Sequence, residues 1–417
     1  NLSYKLNNNN KISFRNMFNV NTEDQVTVRE GQDIAASGLD RKAYAIFYNQ
    51  NLLYTGQLIG EHLFEKAKNL KVKWVLGYSD ITRDIPDFRR LRYNRVPSAN
   101  NENPYIAFLT TNASPNDAGR FYSNLDESVY SGSVDFSLPL DIKGKKSTLK
   151  FGYYYQSRVR DFNVRVLGNV INSTTYFNPD LLRLGIGDIF NPTNFMDSTG
   201  FSIAESTNKS DSYDASSSLN SGYAMLDMKL TVRLRAVFGV RVEAFSQNVY
   251  AESNSNVPTD ITRSNVDVLP SLNLAYELSQ KSNLRFAASQ TLSRPEFREL
   301  APFSFFDFNN FVEIVGNSEL QRAKITNLDL RYELFPGNGQ LISGSVFFKH
   351  FQNPIEQTLN SDIGGGTLST TYRNATSATN FGLELEYRKS FEFIGAWFNR
   401  LTLATNLALI QSEVNLE

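Results

Sequence analysis

The sequence predicts an all-β fold, a transmembrane antiparallel β-barrel of about fourteen strands, and three observations carry that expectation. Apolar and aromatic residues fall on every second position through many strand-length segments. No run of about 18 consecutive apolar residues exists that would make a membrane-spanning helix. The connections alternate short and long, which is how an outer-membrane barrel arranges its periplasmic turns and extracellular loops. A soluble sandwich also alternates along its strands, but has no reason to keep its connections in that order.

The strands follow one another from the first residues. Segments 2–6 and 11–22 open the chain, the second placing Ile12, Phe14, Phe18 and Val20 on one face and Lys11, Ser13, Arg15 and Asn19 on the other. Segment 41–58 is the third, with alternation lost around 49–53. In 70–80, Leu70, Val72, Trp74, Leu76 and Tyr78 oppose Lys71, Lys73 and Ser79; in 127–140, Tyr130, Val134, Phe136, Leu138 and Leu140 oppose Ser131, Ser133, Asp135 and Ser137. Segments 148–162, 222–230, 235–248, 266–278 and 283–291 continue the series. Leu328, Leu330, Tyr332 and Leu334 oppose Asn327, Asp329, Arg331 and Glu333 in 324–335. Segment 340–358 contains Pro354, which a strand accepts at its end or at a bulge. Segments 371–389 and 400–413 complete the count. The even-numbered faces of 12–20, 72–78 and 134–140 are expected to meet lipid.

Short connections are read at 7–10, 65–69, 141–147, 279–282 and 336–339, and long ones at 23–40, 81–126, 163–221, 250–265 and 292–322. The last strand ends without a partner that would close a barrel, and an open sheet edge in lipid leaves backbone groups unpaired. More chain is therefore expected. Asn1 is not preceded by a basic region and an apolar stretch, so a signal peptide is expected to have been removed or to lie outside the sequence.

Composition restricts chemistry. The 417 residues contain no cysteine and two histidines, His62 and His350, so thiolate chemistry is excluded and no metal or cofactor site is expected. A net charge of -1 does not suit a nucleic-acid binder. The 31 phenylalanines and 20 tyrosines serve strand propensity and the aromatic girdles of a barrel. No Ser/His/Asp constellation at useful spacing points to an enzyme.

Several strings, taken in order, carry a resemblance. Ser293-Arg294-Pro295-Glu296-Phe297-Arg298-Glu299-Leu300-Ala301-Pro302 is followed by Gly316-Asn317-Ser318-Glu319-Leu320, by 327–333, by Phe347-Phe348-Lys349 and by Asn353-Pro354-Ile355-Glu356. Gly382-Leu383-Glu384-Leu385-Glu386-Tyr387 and the earlier Tyr223–Asp227 and Gly239–Glu243 stretches extend the pattern. Together they resemble the barrel of TonB-dependent outer-membrane receptors, particularly the Bacteroidetes type. The resemblance implies a 22-stranded barrel with a plugged lumen, of which residues 1–417 supply part, the plug domain and some terminal strands lying outside it. It also implies uptake of a scarce siderophore, vitamin, glycan or peptide across the bacterial outer membrane, powered through TonB and its inner-membrane complex. Outer-membrane lipid and lipopolysaccharide would surround the barrel, and a surface lipoprotein is a conceivable partner. The alternative is a passive or partner-gated channel, or a barrel subunit of a larger assembly.

Ligand contacts are expected on the outward loops. Phe303, Phe305, Phe306, Asp307, Phe308, Asn309, Asn310 and Phe311 offer rings to stack on a ligand and polar groups to orient it, or else form the loop's own core. Arg89, Arg90, Arg92 and Tyr93, with Arg83, Arg95 and Phe88, offer forks for carboxylate or phosphate, or form a ladder paired with Asp80, Asp84 and Asp87. Arg241, Glu243, Asp329, Arg331, Glu333, Glu384 and Glu386 are expected to face the lumen.

Overall fold

In the computed structural model, residues 1–33, 37–98, 100, 102–196, 198–252, 258–310, 312–337, 339–360, 368–391, 394–398 and 400–416 are described. Fourteen strands follow one another around a single antiparallel path: β1 Leu2–Asn7, β2 Asn10–Gln32, β3 Asp40–Phe64, β4 Leu70–Arg95, β5 Gly119–Ile142, β6 Lys145–Ile171, β7 Tyr213–Lys229, β8 Leu234–Glu252, β9 Pro258–Ser279, β10 Ser282–Ser293, β11 Ala323–Leu334, β12 Leu341–Gln352, β13 Ser377–Ser390 and β14 Thr402–Asn415. No helix among the described residues is long and apolar enough to cross a membrane. Among those residues β1 pairs only with β2 and β14 only with β13.

The pleat explains the two faces. With a side-chain period of two, a register such as Trp74 opposite Val134 and Gly60 carries every even residue of 72–78 to the same side as the even residues of 130–138. That outer side displays large apolar groups in the open: Leu76 is 56% exposed, and Phe14, Phe18, Tyr130, Val266, Leu330 and Leu407 are exposed too. Tyr78 and Tyr130 meet across strands at 5.1 Å, and Phe136 stacks on Phe151 at 4.9 Å. Such an apolar surface is stable only against lipid. The inner side carries Lys73, Ser133, Asp135, Tyr154 and Glu243, and two long connections fold onto it.

Short turns sit where the sequence puts them. Between β5 and β6, Lys143 and Gly144 both take positive φ (54° and 74°), as two-residue hairpins require to match strand twist. The long connections are corrected. Much of 23–40, 81–126, 163–221 and 250–265 is strand: β2 and β3 pair continuously from Asn10 opposite His62 to Gln32 opposite Asp40, and β4 runs 26 residues to Arg95. Strands of that length exceed the nine to eleven residues that cross a bilayer, so they project beyond it. The lost alternation near 49–53 falls inside an unbroken β3, which pairs β2 without a shift; the one bulge here is an extra residue of β4 between Ile85 and Phe88, which shifts its register against both neighbours.

The spans 340–358 and 371–389 are each two strands. After Gln352 and Pro354 the chain leaves the wall; Ile355–Leu359 pairs with Leu368–Asn374, which pairs in parallel with Val312–Val315, itself in a hairpin with Ser304–Asp307. Proline ends the wall ladder at Pro354 because it brings no N–H.

Candidate functional site

The 294–322 connection, between β10 and β11, lies against the inner face rather than standing free. Arg294 leaves the end of β10 and its Nη2 donates to Glu243 Oε2 at 2.6 Å, with the guanidinium over the Phe245 ring at 4.4 Å. Arg241 Nε donates to the other oxygen of Glu243, also at 2.6 Å. Pro295 then fixes the chain direction, and the Glu296 N–H donates to Glu299 Oε2 at 2.8 Å to cap one helical turn, Phe297–Leu300. That turn buries Phe297 and Leu300 completely or nearly so, and Arg158 and Arg160 stack on Phe297 at 5.0 and 5.1 Å. Both arginines also donate to Glu127, Arg160 Nη2 lying 2.6 Å from its Oε2.

The return limb is anchored in the same manner. A Cβ on Gly316 would lie 1.9 Å from the Ala301 carbonyl oxygen, so only glycine permits that approach. Asn317 Nδ2 donates to the Tyr372 carbonyl at 2.8 Å, Leu320 is buried in the core, Arg263 donates to the Ser318 carbonyl, and Arg322 Nη2 lies 2.7 Å from Asp267 Oδ1. Between this limb and the wall lies a cavity of about 370 Å³ lined by Gln247, Arg263, Arg294, Glu319 and Arg322. The family-like strings are thus the structural fastenings of the connection.

The phenylalanines form one cluster. Phe303, Phe306 and Phe308 are buried with Ile85, Phe88, Phe121, Val164, Tyr213, Val249 and Ile261 of the wall, and Phe305 packs beside them. Phe303 meets Phe162 edge-on at 5.3 Å, and Arg29 Nη1 donates to the Phe308 carbonyl at 3.0 Å. Asp307 accepts the backbone N–H groups of Asn309 and Asn310 at 2.8 and 3.1 Å, which ties its carboxylate to the turn it begins. Asn309 and Asn310 are exposed, and Phe311 lies outside the described residues. The rings behave as the core of an inward-folded connection.

The arginine candidates separate by face. Arg90 and Arg92 point inward. Arg90, 5% exposed, lies over Phe88 and Phe306, and its Nη1 donates to Asn116, which donates on to Glu313 Oε1 at 3.0 Å. Burial pushes the Arg90 guanidinium down to about 10, which leaves it charged at neutral pH. Arg92 sits 3.1 Å from Asp117 and over Phe108. Arg89 and Tyr93 point outward, where Arg89 pairs with Asp87 at 2.5 Å and the Tyr93 hydroxyl donates to the Leu184 carbonyl at 2.9 Å. One run of sequence therefore serves two surfaces. On the lower inner wall, Arg331 bridges Glu333 and Glu386 at 3.1 Å each, and Ser345 donates to Glu384. The register sets Asp329 between Ala287 and Phe347 on the same face as Arg331. Glu127, Arg158, Arg160 and Asp267 are inner-wall residues that the sequence reading passed over; basic and acidic residues two apart within a strand were the available signal.

A model of the TonB-dependent receptor-like β-barrel matches residues 3–415. The chain belongs to this family. TonB-dependent receptors are outer-membrane barrels, and this barrel shares their fold with the ferric citrate transporter FecA (10% identity, TM-score 0.50, covering 98% of this chain and 58% of that one). The copper transporter OprC gives the same TM-score of 0.50 at 13% identity, over 98% of this chain and 58% of its own. The siderophore receptor PirA from Pseudomonas aeruginosa is 14% identical, with a TM-score of 0.46 over 99% and 68%. The chain spans less than two thirds of the length of the first two. No curated protein matches it. The TonB-dependent receptor family is one of transporters and receptors, not of enzymes.

Proposed function

We propose that this barrel is the wall of an outer-membrane receptor that captures a scarce nutrient at its extracellular end and imports it with energy delivered through TonB, without making or breaking bonds in it. The observation that carries the reading is the pairing of a lipid-facing outer surface with a charged inner wall, across which the 294–322 connection is fastened at the extracellular end. A connection held against the inner wall there gives a ligand converging groups to meet. The exposed Asn309 and Asn310 at the tip and Arg89 on the rim are the accessible members of the two candidate groups. The sheathing lipopolysaccharide would meet the projecting outer faces of β3 to β6.

Ferric citrate and copper, the cargoes of the two transporters that share the fold, are the first to test. Cells expressing the native protein are given labelled ferric citrate or copper, with and without TonB. Accumulation that depends on both the receptor and TonB is expected for the correct cargo. Receptor-dependent entry that persists without TonB would instead establish a passive channel.

A further inference from the structure

The 172–200 connection packs against the outside of the wall. Leu91 and Tyr93 of β4 face outward there and are buried with Ile189 and Phe201, and the Tyr93 hydroxyl donates to the Leu184 carbonyl at 2.9 Å. The stretch that follows is tied to itself. Asn194 Nδ2 donates to the carbonyls of Asp188 and Ile189 at 3.0 Å each, and Asn191 Oδ1 accepts the Thr193 N–H at 3.1 Å. Between 186–195 and the outer faces of β3 to β6 remains a cavity of about 430 Å³. Tyr44, Ile46 and Leu91 form part of its floor, and Ile186, Phe190 and Phe195 part of its roof.

Two arginines give this apolar cavity a charged end. Arg89 stands directly opposite Arg120 across β4 and β5, an arrangement that opposes folding unless an anion lies between the two. Asp87 is that anion. Arg120 takes both of its oxygens, through Nε at 2.9 Å and Nη2 at 2.6 Å, and Arg89 Nε reaches the same carboxylate at 2.5 Å. Two guanidiniums thus share one carboxylate, and a positive charge is left at the cavity. The buried Asn169 lines it nearby, with Nδ2 donating to the Ala118 carbonyl at 3.3 Å. A mostly apolar chamber with a cationic end attracts an anion and shelters an apolar body.

Position restricts what can enter. Beyond the contact of Tyr78 with Tyr130, the outer faces of β4 and β5 turn polar with Asp80 and Asp126. From Tyr78 to Arg89, at about 3.3 Å per residue and a tilt of about 45°, β4 rises roughly 25 Å. Acyl chains of the bilayer do not reach that height, so the occupant comes from the aqueous side. The cavity is turned away from the lumen, and its strands are flanked by β2 and β7, so neither a plug nor further barrel strands would cover it. We infer that it binds a small organic anion, a carboxylate held by Arg89 and Arg120 on a ring or short chain that packs against Leu91, Phe190 and Phe195. The cavity lies off the path through the barrel, so this site stands apart from the uptake reading.

The test is equilibrium dialysis of naphthalene-2-carboxylate against the full polypeptide, isolated from its native membrane and placed in phosphatidylcholine nanodiscs so that no detergent competes, with empty nanodiscs as the blank. Saturable binding is expected. Arg89→Gln, which leaves the pair of Asp87 with Arg120 in place, should weaken it on the order of tenfold. Gly187→Leu should weaken it at least as much, because a Cβ there meets nothing within 4 Å and the side chain adds volume at the lining without a clash. Arg165→Gln removes an outer-face arginine that pairs with Glu205 outside the lining, and should bind the probe as the wild type does. Heat-modifiable gel mobility verifies that each variant is folded. Absence of saturable binding, equal affinity for the neutral 2-naphthalenemethanol, or a loss in Arg165→Gln as large as in Arg89→Gln overturns the site.

Discussion

Arg294 and Glu243 meet at 2.6 Å across the inner wall, and this contact ties the first residue of the 294–322 connection to the middle of β8. Glu243 is buried and is shared with Arg241, so the geometry holds three charges in a compact, hydrogen-bonded set. A partly buried pair of this kind contributes little net stability when made but much when one partner is removed. Arg294→Ala should cost about 3 kcal/mol and loosen the connection first. The check is limited proteolysis with thermal melting: cleavage should appear between 295 and 322 while the barrel stays heat-modifiable. Unchanged protection would mean that the buried phenylalanines alone secure the connection.

Gly316 offers a sharper steric test. An added Cβ meets backbone, which cannot swing aside as a flexible side chain would, so Gly316→Ala should displace the 301–303 limb and lower the melting temperature. Gly222→Ala is the control, because its Cβ would find nothing closer than the Gly152 carbonyl at 3.9 Å. Equal melting temperatures for the two variants would contradict the close approach.

The two faces predict opposite tolerances. Lysine in place of Leu76, exposed on the outer face, should cost about 2 to 4 kcal/mol if it sits near the bilayer midplane. Lysine in place of Ser133, on the wet inner wall, should be accepted. Folding yield into lipid vesicles distinguishes them, and similar losses at both positions would mean that the faces are reversed.

Asp87 predicts a pH dependence on the extracellular rim. Burial raises its carboxyl, but hydrogen bonds and charge from Arg120 and Arg89 outweigh that and hold it below the usual carboxylate range. A depressed folded value contributes stability that is present above the unfolded value of about 3.9 and is lost as pH falls through the folded one. Asp87→Asn should therefore melt below the wild type at pH 6, by no more than about 1 kcal/mol since Arg89 is 59% exposed. The gap should narrow as pH falls below the unfolded value and through the depressed folded one. A gap that is constant with pH would show that packing, not charge, makes the difference.

The sequence by itself determined the wall. A period of two with one apolar face leaves each strand a single acceptable register, since a slip by one residue would turn Leu76 or Leu385 inward and Lys73 or Glu384 into lipid. Fourteen strands, their short turns and the lumen side of Arg331 follow from that local rule. What only the tertiary structure decided lies beyond the membrane. There both faces of a projecting strand meet water or another loop, so the hydrophobic pattern no longer tells wall from loop, and 81–95 reads as a connection although it is strand. The same holds for Phe303, Phe306 and Phe308, whose spacing is equally suited to an open ligand platform and to a buried core. Their fate depends on Ile85, Phe121, Val249 and Ile261, contributed by four other strands, and contacts between such distant parts of the chain leave no periodic trace in it. The split of Arg89 and Tyr93 from Arg90 and Arg92 falls between the two cases: alternation places neighbours on opposite faces, but the two-residue bulge before Phe88, and the segments that cover each face, exist only in the folded protein.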